Sequence, residues 1–89
     1  MNKEEITWRI RVYGIVQGVG FRPTVSRHAT THGIHGTVCN KGPYVEIYAQ
    51  GTKEQVEGFL NELEEHPPKR AAILKINTEE ITAETAVHF

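Results

Sequence analysis

Hydrophobic and polar residues alternate strictly along the segment from Thr7 to Tyr13. One side of this alternation is apolar and the other is polar or amphipathic, with Trp8, Ile10 and Val12 on the first and Arg9, Arg11 and Tyr13 on the second. A period of two residues is typical of a strand with one buried face. The chain is therefore predicted to begin with a half-buried β-strand.

A glycine-rich turn follows, and a helical pattern starts after it. Pro23 suits the first position of a helix, because its fixed φ matches the helix and its missing N–H would have no intrahelical acceptor there. Val25 and Ala29 then recur at helical spacing, and Gly33 is a natural left-handed cap. This segment predicts the first helix.

Extended patterns return from Gly36 to Asn40 and from Tyr44 to Gln50. The intervening Lys41-Gly42-Pro43 is rich in turn-forming residues, so the two segments predict a β-hairpin. In the second segment alternate residues share one apolar face, namely Val45, Ile47 and Ala49.

A second helix is predicted after the hairpin. Gly51 is expected to end the strand, and Thr52 with Gln55 three residues later forms a capping box. Apolar residues recur at helical spacing, at Val56, Phe59, Leu60 and Leu63. Pro67 and Pro68 are expected to stop the helix.

The complete order is β-α-β-β-α-β, with Ala72 to Ile81 as the fourth strand. This order predicts an α+β, ferredoxin-like fold, in which two helices pack on one face of an antiparallel sheet. The first helix connects two strands that run parallel with another strand between them. The glycine turn and Asn40 therefore follow strand ends at the same edge of the sheet.

Length and charge limit the possible functions. Residues 1–89 are enough for one domain, and ten basic against eleven acidic residues leave it nearly neutral. No nucleic-acid or membrane partner is expected from this charge. No apolar run is long enough for a signal peptide or a membrane span, so a cytoplasmic location is the default expectation.

The metal-ligating and thiol residues do not predict a cofactor. The single cysteine, Cys39, excludes an intramolecular disulfide framework, and its alternation with Asn40 favours a small core residue. The five histidines are dispersed without paired cysteines. His28 and His32 have the spacing of helical metal ligands, but packing or solvent-facing roles are favoured, and no metal or cofactor is expected.

The segment from Gly18 to Arg22 has the features of an anion site. Glycines allow successive N–H groups to converge on one anion, and the following helix adds its positive end. Arg22 would supply a counter-charge and a planar fork of donors. Because glycine turns are common, this signal gains weight only when Asn40 lies beside it.

Arginine and asparagine without an adjacent carboxylate or histidine make an unusual catalytic set. A reaction with a good leaving group needs little proton transfer, since positioning a water and neutralising phosphate charge lower most of the barrier. Acyl phosphates meet that requirement, because they are mixed anhydrides with a good leaving group. The oxygens of the bound phosphate can accept the proton of the attacking water.

Two stretches of the chain closely resemble the signatures of the acylphosphatases, the run from Val16 to Arg22 and the run from Gly36 to Asn40. The resemblance covers nearly the whole chain. It implies that Arg22 binds the substrate phosphate and that the Asn40 amide orients the attacking water. It also implies that the backbone of the loop cradles the phosphate, at Gln17, Gly18, Val19, Gly20, Phe21 and Arg22.

Further details resemble one branch of the family, the N-terminal acylphosphatase-like domain of the carbamoyltransferase that matures nickel-iron hydrogenases. They are Pro23, Cys39, and Pro67-Pro68 followed by Arg70-Ala71-Ala72-Ile73. The resemblance implies carbamoyl phosphate as the substrate, with the other domains of the parent enzyme and its carbamoyl-accepting maturation partner as partners. The segment from Val87 to Phe89 is typical of the start of a strand, and the end of the sequence within it favours a domain excised from a longer protein.

Two alternatives stay open. A free-standing acylphosphatase acting on broader acyl phosphates would share both signature stretches. A non-catalytic binding module is a further possibility, since ferredoxin-like sheets also carry RNA and regulatory ligands. The chain lacks the aromatic RNA-recognition signature, and a basic sheet face is suggested only by Arg9 and Arg11.

Overall fold

The computed structural model of the protein describes residues 5–16, 18 and 20–81. The expected strand start from Val87 to Phe89 lies outside these residues. The elements are β1 (Glu5–Ile15), α1 (Phe21–His32), β2 (His35–Asn40), β3 (Tyr44–Thr52), α2 (Lys53–Glu65) and β4 (Ala72–Ile81). The predicted βαββαβ order and ferredoxin-like fold are confirmed.

The sheet has four strands in the order β2-β3-β1-β4 within the described residues. β3 pairs antiparallel with both β1 and β2. Because β3 lies between them and runs opposite to each, β1 and β2 run parallel, as the sequence predicts. Their C-terminal ends therefore reach the same edge of the sheet.

The core fills the space between the sheet and the two helices. The predicted inward faces of β1 and β3 are buried, and Trp8 packs partly buried against them. The largest fully buried side chains are Phe59, Ile10, Ile47, Leu63, Val12, Val16, Val45 and Val56. The end of β1 is thus anchored in the core by Val16, whereas β2 contributes only the partly buried Val38.

The helix α1 begins earlier than the sequence pattern predicts. Its first residue is Phe21, its N-cap is Gly20, and Pro23 is the third residue of the helix. Proline is tolerated there because the N–H groups of the first turn have no intrahelical acceptor. At the other end Gly33 is the predicted left-handed cap, with φ of 70°.

The helix α2 starts at the predicted capping box. The Gln55 N–H donates to Thr52 Oγ1 over 3.2 Å, and the Thr52 N–H donates to Gln55 Oε1 over 2.9 Å. Gly51 does not end β3, which continues to Thr52 and passes directly into the helix. The helix ends at Glu65, shortly before Pro67 and Pro68, as expected.

His28 and His32 link α1 to α2. The buried His28 has Nδ1 3.2 Å from Glu62 Oε2 and Nε2 2.9 Å from the His66 carbonyl oxygen. His32 places Nε2 2.6 Å from Glu62 Oε1. Of the packing and solvent-facing roles favoured for these histidines, the structure shows the packing role, with Glu62 as their shared partner.

The expectation that Cys39 is a core residue is wrong, because its side chain is exposed. Cys39 pairs with Glu46, whereas its neighbour Asn40 pairs with the core residue Val45. Alternation therefore turns Cys39 to the sheet face that the helices leave uncovered. The prediction that Cys39 and Asn40 lie on opposite faces of the strand agrees with this register, but the core face is that of Asn40 and not that of Cys39.

Candidate functional site

A cavity of about 250 Å³ lies at the sheet edge where β1 and β2 both end. It is lined by Val16, Gly18, Gly20, Phe21, Arg22, Pro23, Asn40 and Val45. The structure thus places Arg22 and Asn40, which are distant in sequence, on one cavity. Gln17 and Val19, which the sequence also assigns to the loop, lie outside the described residues.

The floor of the cavity is apolar and rigidly packed. Val16, Phe21 and Val45 line it and are only 1%, 3% and 2% exposed. Val45 is a lining residue that the sequence reasoning missed, although it faces Asn40 directly in the register of the β2–β3 hairpin. A register predicted for the hairpin would have paired Val45 with Asn40 and so indicated that Val45 lies at the site. The polar groups that line the cavity therefore lie beside residues that are part of the hydrophobic core.

The glycine turn adopts left-handed backbone conformations. Gly18 has φ of 67° and Gly20 has φ of 75°. Among the described residues, a β-carbon built on either glycine meets nothing within 4 Å. Glycine is therefore suited to these positions by the backbone conformation and not by lack of space.

The start of α1 presents its positive end to the cavity. Gly20, as N-cap, provides no side-chain hydrogen bond, and the first turn contains no acidic residue. Among the described residues, no side chain caps the start of the helix, and Pro23 has no N–H. Uncapped amides and the helix dipole together favour an anion at this point.

The guanidinium of Arg22 adds a full positive charge. Arg9 and Arg11 are each paired with a carboxylate, Glu79 and Glu46 respectively. Within the part of the chain that the structure describes, Arg22 has no such partner, and its side chain is exposed beside the cavity. Its charge is thus available to a phosphate group, which a guanidinium can bind through two parallel hydrogen bonds.

Asn40 lies at the end of β2 and has a defined amide orientation. Its Oδ1 accepts a hydrogen bond of 2.8 Å from the Gly42 N–H. Only the oxygen of the side-chain amide can accept from an N–H, so the two hydrogens of Nδ2 remain as its donors. The side chain can therefore donate to a water or a phosphate oxygen.

The pairing of β1 with β4 is irregular just before the glycine turn, where β4 contains one extra residue, Leu74. The pairing of β1 with β4 shifts register between Tyr13 and Gly14, and Gly14 has φ of 135°. A β-carbon there would overlap the Ala72 carbonyl oxygen. The sequence reasoning missed this register shift, for which a glycine inside a strand pattern was the available signal.

The cavity brings anion-binding groups together without a titratable acid or base. None of the described lining residues carries a carboxylate, an imidazole or a thiol. Elsewhere, the described residues contain no group of three or more histidine, cysteine or acidic side chains placed to hold a metal ion. The arrangement can bind a phosphate and position a water, which suits a substrate with a good leaving group.

Comparison with known proteins identifies relatives of two kinds. Residues 8–89 match the family model for acylphosphatase. A probable carbamoyltransferase HypF from Methanocaldococcus jannaschii is 49% identical over 73 residues, which are 82% of this chain and 10% of that protein.

Solved structures give the same two kinds. Full-length HypF in a phosphate- and nucleotide-bound form matches with a TM-score of 0.91 and 31% identity, over 97% of this chain and 11% of that one. An acylphosphatase from Coxiella burnetii matches with a TM-score of 0.81 and 34% identity, over 88% of this chain and 82% of that one.

The chain thus spans about a tenth of the length of the HypF proteins that it matches. Among residues 5–16, 18 and 20–81, no helix has the length and apolar character needed to span a bilayer.

Proposed function

The chain belongs to the acylphosphatase family, and we propose that it is the acylphosphatase-like domain of a longer carbamoyltransferase, where it hydrolyses carbamoyl phosphate to carbamate and phosphate. Membership of the family supports hydrolase activity on acyl phosphates. The carbamoyltransferase assignment is supported by the HypF proteins, whose similarity extends over 82% and 97% of this chain. In that setting the further domains of the parent enzyme and its carbamoyl-accepting maturation partner would receive the product.

One observation carries the proposed chemistry. The cavity joins an arginine without a described carboxylate partner, an uncapped helix start and an oriented asparagine amide. The phosphate of the substrate would bind to the Arg22 guanidinium and to the loop backbone, including the amides of Phe21 and Arg22. These donors offset the negative charge that otherwise repels an attacking nucleophile.

Asn40 would orient the water. With Oδ1 held by the Gly42 N–H, Nδ2 donates to the water oxygen and leaves the water hydrogens directed towards phosphate oxygens. The water oxygen forms a bond to phosphorus as the bond from phosphorus to the acyl oxygen breaks. One water proton passes to a phosphate oxygen and the carbamate leaves as an anion, so no side-chain acid or base is required.

A free-standing acylphosphatase is the second candidate. The match to the Coxiella burnetii enzyme over 82% of its length supports it. Both candidates predict the same residues at the cavity and differ in substrate preference. Faster hydrolysis of acetyl or benzoyl phosphate than of carbamoyl phosphate would favour the second candidate over the first.

The role of Asn40 is tested by hydrolysis of carbamoyl phosphate with three variants. Asn40→Ala is expected to lower kcat roughly a hundredfold to a thousandfold, as loss of one preorganised donor typically does. Asn40→Asp keeps an acceptor for the Gly42 N–H but replaces the donor with a negative oxygen, so it should be as inactive without unfolding the turn. Asn61→Ala, on the exposed side of α2, is the matched control and should keep wild-type activity. Wild-type rates for both Asn40 variants would refute the assignment.

A further inference from the structure

Beyond the residues assigned above, we propose that the backbone N–H of Gly42 is a positioning group for the reaction, which holds the Asn40 amide with Nδ2 towards the cavity. The inference rests on the proposed function, in which Asn40 orients the attacking water. Gly42 itself is not among the residues that line the cavity. It would act only through its hydrogen bond to Asn40.

The need for such a group follows from the exposure of Asn40. Its side chain is exposed, and rotation about the bond to a planar amide has a broad, roughly two-fold preference. A flipped amide would present Oδ1 to the cavity, where it would repel phosphate oxygens and could not donate to a water. The hydrogen bond of 2.8 Å from the Gly42 nitrogen to Oδ1 selects the other orientation.

The turn is built so that this N–H points back to Asn40. Gly42 has φ of 98°, a conformation that residues with a β-carbon rarely adopt. The preceding Lys41 N–H donates to the Tyr44 carbonyl oxygen over 2.9 Å and closes the turn. Asn40 pairs with Val45, which is buried in the core. The donor is thus placed by a closed turn that is anchored on the cavity floor.

This division of roles predicts a specific kinetic effect. In the proposed function Arg22 and the start of α1 hold the phosphate, whereas the Gly42 N–H is assigned to the Asn40 amide. Removing the Gly42 N–H should therefore lower kcat and leave KM nearly unchanged. A net hydrogen bond is worth enough to expect a fall in kcat of about tenfold.

The experiment replaces the Gly42 amide nitrogen with an ester oxygen. The chain has one cysteine, Cys39, so ligation of a synthetic segment starting at Cys39 to residues 1–38 gives the full chain without a sequence change. The all-amide ligated chain is the reference. The matched control carries the ester at Lys41 instead, which removes the turn hydrogen bond to Tyr44 and leaves the donor to Asn40 in place.

We expect the Gly42 ester to lower the kcat for carbamoyl phosphate about tenfold. The Lys41 ester should retain most of the kcat of the all-amide chain, although both esters should lose a comparable amount of thermal stability. Equal falls in kcat for the two esters would overturn the proposal, because they would indicate a loosened turn. An unchanged kcat for the Gly42 ester would overturn it as well.

A second arm separates this inference from the proposed function. In an Asn40→Ala background there is no amide to hold, so the Gly42 ester should cause no further fall in kcat. The same tenfold fall in that background would overturn the positioning role of Gly42, but it would not contradict the role of Asn40 in orienting the water. A wild-type kcat for Asn40→Ala alone would overturn the role of Asn40, and the inference with it.

Discussion

Gly36 of β2 lies against the main chain of Tyr48 in β3, so closely that a β-carbon on Gly36 would overlap the Tyr48 carbonyl oxygen. The two strands therefore approach each other closely at a position before the site residue Asn40. The backbone of β2, and with it the position of Asn40, depends on the absence of a side chain at Gly36.

Replacing Gly36 with alanine should destabilise the protein and displace β2. Forcing extra volume into a packed contact typically costs about 1–3 kcal/mol, and here the obstacle is main chain that cannot rotate away. Urea denaturation should show the loss for Gly36→Ala. Thr37→Ala, one residue further along the same strand and exposed, is the control and should be nearly neutral. Equal stability of the two variants would show that β2 can shift without cost.

At Gly20 we expect a backbone effect without a clash. The residue has φ of 75° and open space around its α-carbon. Gly20→Ala should lose about 1–2 kcal/mol from left-handed strain, whereas Gly20→Asn should lose less, because asparagine visits this conformation more readily. Thermal unfolding of the two variants tests the order. Greater stability of the alanine variant than of the asparagine variant would mean that the turn takes another conformation.

The Glu62 carboxylate should make stability depend on acid pH. Its hydrogen bond with His32 is the main cause that lowers the pKa of Glu62 from its ordinary value of 4.5. A lowered pKa in the folded state stabilises the protein above the unfolded pKa, and this contribution is lost as pH falls through the folded pKa. The stability advantage of the wild type over Glu62→Gln should therefore shrink on acidification from pH values above about 4.5.

Glu57→Gln, an exposed position on the same helix, is the control for the pH series. Its difference from the wild type should show no comparable decline on acidification. If Glu57→Gln and Glu62→Gln followed the same pH dependence, the contacts of Glu62 with the two histidines would not be its source.

Much of the fold could be predicted because local patterns and core packing agree. The alternation in β1 and β3, the capping box at Thr52 and the cap at Gly33 each appear at the predicted place. The start of α1 was predicted two residues late, since Pro23 is tolerated throughout the first turn and does not mark its first residue.

The site was only partly predictable. Strand order brings Arg22 and Asn40 to one edge, which sequence and topology suffice to predict. Three features depend on strand register and turn geometry, namely the register shift at Gly14, the lining residue Val45 and the Gly42 hydrogen bond. The face of Cys39 was misjudged because β2 is a strand with exposed residues on both sides, so its pattern does not identify the core side.

The anion-binding role of Arg22 is the central claim of the proposed function. Arg22→Ala removes the guanidinium beside the cavity, and Arg22→Lys keeps the charge without the planar fork of donors. The control is Arg27→Ala, which removes an exposed arginine from the same helix and outside the cavity lining. All three variants should unfold cooperatively like the wild type, because Arg22 is exposed and makes no described ion pair.

The most direct measurement is kcat/KM for carbamoyl phosphate in the wild type and these three variants. We predict a fall of roughly a hundredfold or more for Arg22→Ala, a partial loss for Arg22→Lys, and a wild-type value for Arg27→Ala. A folded Arg22→Ala variant with the same kcat/KM as Arg27→Ala would contradict the account, because the substrate phosphate would then be bound elsewhere.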